Sequence, residues 1–130
     1  MMEEFTASVR ARKLGLNNIP GKLESSNLIK LCETILQPIR DRWARPLRIT
    51  SGYRSPVLNR LVAGACNSQH LTGEAADIVS DDNNSLWKLI IHLIAEQEIE
   101  VGQLIDEKNL SWIHISLPNK AHKNEILKIK

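Results

Sequence analysis

The chain has 130 residues, 42% of them hydrophobic and 25% charged, and its 17 basic and 15 acidic residues leave a net charge of +2. Length and balance fit one globular domain, residues 1–130, with a core of its own, and exclude a disordered or fibrous chain. The charge is too small to argue for nucleic acid, and the run Leu89-Ile90-Ile91 stops at His92, so nothing approaches the ~20 apolar residues of a membrane span.

Residues 1–24 read as an irregular N-terminal segment, with turn signals at Gly15, Asn17-Asn18 and Pro20-Gly21. The opening Met1-Met2-Glu3-Glu4 is acidic and no apolar stretch follows, so no secretory leader is expected. Ser25 or Ser26 can cap a helix whose apolar positions, Leu28, Ile29, Leu31, Cys32, Ile35, Leu36, Ile39 and Trp43, form a wide core-facing stripe. Pro38 should kink it or mark a break near its end. Pro46 enforces extended backbone ahead of a short strand, Leu47 to Thr50. Ser55 is placed to cap and Pro56 to start a short helix that Gly64 stops. Residues 67–73 read as loop and Ala75 to Val79 as a buried strand. A helix from Asp82–Asn84 carries Leu86, Trp87, Leu89, Ile90, Leu93 and Ile94 inward. Gly102 to Ile105 and Ser111 to Leu117 form two strands around a turn at Lys108-Asn109, and Glu125 to Lys130 is a weaker last strand. Helices that come first, with a sheet built mostly from hairpins, indicate an α+β fold. Two cysteines, Cys32 and Cys66, cannot build a disulfide framework.

Chemistry concentrates in two segments. In Ser68-Gln69-His70-Leu71-Thr72-Gly73-Glu74-Ala75-Ala76-Asp77, a turn at Gly73 can fold His70 toward Asp77. In Trp112-Ile113-His114-Ile115-Ser116-Leu117, the period of two sends Ile113, Ile115 and Leu117 to the core and leaves Trp112, His114 and Ser116 on the open face. Two histidines and a carboxylate can make a three-ligand set for catalytic zinc. Spacing alone also admits a structural strand histidine, and Asp77 as a cap or the partner of an arginine. Cys66 with His70 is a weaker metal fragment. His92, inside a helix, and His122, in the basic tail with Lys120, Lys123, Lys128 and Lys130, are read as bystanders.

Ser51-Gly52-Tyr53-Arg54-Ser55-Pro56, Asn59, Gly64, the Ser68-x-His70-x-x-Gly73-x-Ala75-x-Asp77 segment and Trp112-x-His114 together resemble the zinc D-alanyl-D-alanine carboxypeptidase family. That family includes L-alanyl-D-glutamate endopeptidases of phages and bacteria. Phe5-Thr6-x-Ser8, Asn18-x-Pro20 and Leu36-x-Pro38-x-Arg40 are similar to its small single-domain subgroup of phages and prophages. The resemblance implies a small, mostly antiparallel sheet with helices on one side and a zinc cleft. It further implies one zinc per chain on His70, Asp77 and His114, an oxyanion-steadying Arg54, and Ser68 near substrate. Tyr53 and Trp112 would line the groove. The substrate it implies is the peptide stem of bacterial peptidoglycan, cut by a monomer that needs neither nucleic acid nor membrane and reaches the wall after release or export. Classical members carry their catalytic acid where this chain has Ser111. The small subgroup's Gln-Leu-Ile-x-Glu pattern is matched by Gln103-Leu104-Ile105-Asp106-Glu107, which makes Glu107 the expected base and Asp106 the reserve. The same fold occurs in the Hedgehog signalling domain, so a non-catalytic zinc-stabilised binding module is the alternative.

Overall fold

The computed structural model describes residues 18–62 and 68–130. The expectations for Phe5, Thr6, Ser8, Gly15, Asn17, Gly64 and Cys66 lie outside the described residues. The first helix, α1, runs Lys22–Leu31, continues through a wider turn at Cys32–Leu36 and resumes as α2, Gln37–Trp43. It therefore starts three residues before Ser25, so the irregular segment does not reach residue 24. Gly21 stands at the cap position without a side-chain bond, and its carbonyl accepts from Ser25 N–H at 2.9 Å. Pro38 acts as expected, through a specific device. It has no N–H for the Thr34 carbonyl, and the helix widens just before it, with Gln37 N–H bonded five residues back to Cys32. Ala44, left-handed at φ 55°, closes the helix on the Arg40 carbonyl.

Strand β1 is Leu47–Ser51 and β2 is Ala75–Ser80. Between them lie α3, Pro56–Leu61, capped by Ser55 Oγ on Leu58 N–H at 3.2 Å, and a 3-10 turn at Gln69–Thr72. The 13-residue helix α4, Asn83–Ala95, starts from Asp82, whose carboxylate accepts from Ser85 N–H at 3.0 Å. Strands β3, Gln103–Glu107, β4, Trp112–Ser116, and β5, Glu125–Ile129, complete one sheet of order β1-β2-β4-β3-β5. All neighbours are antiparallel except β3 and β5. The fold is α+β, as its pattern of elements implies.

Alternation along the strands divides the sheet into two faces. Ala76, Ile78, Leu104, Ile113 and Ile115 are buried against Leu28, Leu31, Ile35 and Ile39 of the first helices and Leu86, Ile90 and Leu93 of α4. Each leucine or isoleucine among them contributes about 1.5–3 kcal/mol on leaving water. The other face carries Asp77, Ile105, Glu107, Trp112 and His114, which line an open groove. No helix among the described residues is long and apolar enough to cross a membrane.

Candidate metal centre

In the β2–β4 ladder Asp77 stands directly opposite His114, so both side chains leave the sheet on the groove face. His70 comes from outside the sheet. Its 3-10 turn is capped by Ser68 Oγ, which accepts from His70 N–H at 3.2 Å, and ends at Gly73 with φ +77°. A Cβ at Gly73 would lie 2.5 Å from the Glu24 carbonyl oxygen, so the turn tucks against α1 only because that residue is glycine. His70 is 2% exposed, and its Nδ1 lies 2.7 Å from the Gly52 carbonyl. That contact makes Nδ1 the protonated nitrogen and leaves the Nε2 lone pair facing inward.

His70 Nε2 is 3.4 Å and His114 Nδ1 3.1 Å from the same Asp77 oxygen, and the two rings meet edge to face at 5.2 Å. The ligand atoms of the three residues all lie within 4.8 Å of one another. Two imidazole nitrogens and one carboxylate oxygen are a donor set that zinc accepts, and the Gly52 carbonyl behind His70 is the supporting contact such ligands need. The residues fit the ion. Burial alone would push the Asp77 carboxyl upward. The neighbouring His114 and then His70 together outweigh it and hold the group well below the usual carboxylate range.

The groove has a volume of about 670 Å³, and its walls include Arg54, Ser68, Glu107 and Trp112. Arg54 Nη2 donates to Ser68 Oγ at 3.2 Å, while its Nε is buried without a partner. Burial pushes this guanidinium below its ordinary value, and Asp77 and Glu107 pull it back. Its loop is stapled by buried Asn18, which donates to the Tyr53 carbonyl at 3.0 Å and accepts from Ser55 N–H at 2.9 Å. Glu107 faces Trp112 across the β3–β4 ladder and accepts a hydrogen bond from the indole N–H.

Asp106 points to the other face, opposite Ile113, and its carboxylate accepts from Leu110 N–H at 2.7 Å. It pins a turn in which Lys108, Asn109 and Leu110 are all left-handed, with φ 49°, 56° and 59°. Such a run costs about 1–2 kcal/mol per non-glycine residue, and the Asp106 bond offsets part of it. Ser111 is exposed in this turn, its Oγ donating to the Lys108 carbonyl at 2.6 Å. The structure thus brings Glu107 to the groove and keeps Asp106 and Ser111 away.

Tyr53, 8% exposed and packed in the hydrophobic core, is not among the walls of the 670 Å³ groove but lines, with Arg54 and Asp77, a smaller pocket of about 260 Å³ beside it. His122, read as a bystander, lies where the chain after β4 lines the groove with Asn119 and Ala121. Gln103, at the head of β3, lines it too. Gln103 shares the parity of Glu107 and was legible from it. His122 follows the last core strand with no periodic pattern, so nothing local marked it.

The family model described as Peptidase M15 matches residues 1–116 of the chain. No curated protein matches it.

Proposed function

The chain belongs to the Peptidase M15 family of zinc peptidases, and from that premise we propose that it hydrolyses a peptide bond in the stem peptides of bacterial peptidoglycan. The activity is of the D-alanyl-D-alanine carboxypeptidase or L-alanyl-D-glutamate endopeptidase type, in the small single-domain form found in phages and prophages. Its place of work is the cell wall, reached after release or export. One observation carries the reading: His70, Asp77 and His114 converge in a groove that Arg54 and Glu107 also line.

His70, Asp77 and His114 would hold the zinc. When bound, the ion supplies Lewis acidity, polarising a carbonyl and making water acidic near neutrality. Glu107 takes the proton of the attacking water and returns it to the leaving amine. The Trp112 N–H occupies one Glu107 oxygen and leaves the other for this transfer. Arg54, permanently charged and forked, hydrogen-bonds the tetrahedral oxyanion, and Ser68 fixes its direction.

The test is digestion of purified peptidoglycan with and without zinc, with products identified by mass spectrometry. New amino termini or released D-alanine, dependent on zinc, are expected, and their masses name the bond. Tight zinc and peptide binding without any product would leave the binding module in place of the enzyme.

A further inference from the structure

Beyond β4 the chain lines one part of the groove with Asn119, Ala121 and His122 before β5 begins at Glu125. This 118–124 segment is tied along its length. Leu117 N–H donates to the Glu74 carbonyl at 2.8 Å, and Asn124 N–H to that of Val101 at 2.6 Å. Asn119 Oδ1 accepts from the N–H groups of Ala121 and His122, both at 2.8 Å, and Asn119 N–H donates to the His122 carbonyl at 2.9 Å. The Val101 N–H closes on Asn124 Oδ1 at 2.9 Å. Held in this way, the segment turns His122 into the groove, where the imidazole Nδ1 lies 2.7 Å from Glu125 Oε2. The carboxylate fixes the ring by Nδ1 and leaves Nε2 to whatever fills the groove. Nothing in the reaction derived above uses this pair.

Local charge says what it meets. From Pro118 to Asn124 the loop contains Lys120, His122 and Lys123 and no acidic residue, whereas Asp77 and Glu107 stand in the middle of the groove. Bound zinc would offset the Asp77 and Glu107 charges, so the groove's own cations decide where an anionic group of a bound peptide goes: Arg54, or this loop, where Lys123 is paired with Glu100 at 3.6 Å and His122 faces the groove. Arg54 is committed to the oxyanion. We propose that His122, oriented by Glu125, is a substrate-binding residue that donates a hydrogen bond from Nε2 to a carboxylate of the stem peptide, an inference that rests on the peptidase reading above. With Nδ1–H given to Glu125, the imidazolium is the form that also donates from Nε2. It lies between two carboxylates, one from the protein and one from the substrate, in a charge-assisted arrangement.

The experiment uses the zinc-loaded full chain and synthetic stem peptides in which each carboxylate in turn is free or converted to its amide. For one of these pairs the wild type should prefer the free acid in kcat/KM by about tenfold or more, the scale of a lost hydrogen bond to a charged group. His122→Ala should abolish that preference, mainly through KM on the free acid, and leave the amide substrate nearly unchanged. His122→Gln, which keeps a donor, should recover part of it. Lys120→Ala, at an exposed position on the same loop, should not alter it. Equal losses on acid and amide, or a preference that follows Lys120 and not His122, would overturn the proposal. Binding of the same pairs to Glu107→Gln protein, measured by calorimetry, reads the contact without turnover. There a preference that vanishes with His122→Ala supports it and one that persists refutes it. A wild type that cleaves none of the peptides counts against the peptidase reading, and the calorimetry still decides the fate of His122.

Discussion

The floor of the groove and its walls are held by different means. Asp77 and His114 project from adjacent strands in a regular ladder, backed by a core of Ile113, Ile115, Ile78 and Ala76. Each wall hangs on a side chain bonded to backbone. Asn18 staples the Arg54 loop, Ser68 caps the His70 turn, Asp106 pins the hairpin behind Glu107, and Asn119 folds the loop that bears His122. A ladder distributes its support over many bonds, whereas a staple concentrates it in one or two. Substitutions at the floor should therefore abolish the site, and substitutions at the staples of the Arg54, Glu107 and His122 walls should loosen one wall while the metal stays.

The largest expected effect is at the ligands. His70→Ala and His114→Ala should each lose stoichiometric zinc and all measurable hydrolysis, and a chelator should do the same to the wild type until zinc is restored. Metal analysis on folded protein decides this, and full zinc in both variants would show the ligand set to be wrong. Next comes Glu107→Gln, which keeps size and zinc but should lower turnover by roughly 10²-fold or more. Asp106→Asn keeps an acceptor for Leu110 N–H and should change turnover and stability little. The opposite pattern would exchange the two roles.

Arg54→Lys preserves the charge and removes the fork, so kcat should fall about tenfold or more while KM moves little. Steady-state kinetics on a stem peptide separate the two, and an unchanged kcat would remove Arg54 from the chemistry. Smallest is Asn18→Ala, whose loss of the bonds to the Tyr53 carbonyl and Ser55 N–H should cost about 1–3 kcal/mol in urea unfolding with zinc content unaltered. Were the same change to strip the metal, the division between floor and walls would fail.

Much of the floor was legible because it obeys a period. Alternation in Trp112–Leu117 puts His114 on the open face, and the same rule applied to Gln103–Glu107 sends Asp106 and Glu107 to opposite sides. Parity alone cannot say which side is the groove. The register does, by setting Glu107 against Trp112 and Asp106 against Ile113. The directions of Tyr53 and His122 were not legible for one reason: both sit on irregular backbone, where hydrogen bonds and not a period set direction. Asn18 lies 35 residues from the carbonyl it holds, and no local pattern predicts such a bond.

Local chemistry accounts for most of the elements, because apolar period, caps at Ser55 and Asp82, and the break at Pro38 act within a few residues. The sequence by itself also determined which residue types were available as ligands. Tertiary structure alone decided their convergence. His70 reaches Asp77 and His114 only because Gly73 lets its turn lie against α1, and because β2 pairs with β4, which follows it by more than thirty residues in the chain. His122 joins the groove only because β5 pairs with β3 and draws the preceding loop to the groove wall. Such placements depend on contacts between residues far apart in sequence, and a chain read in order carries no period for them.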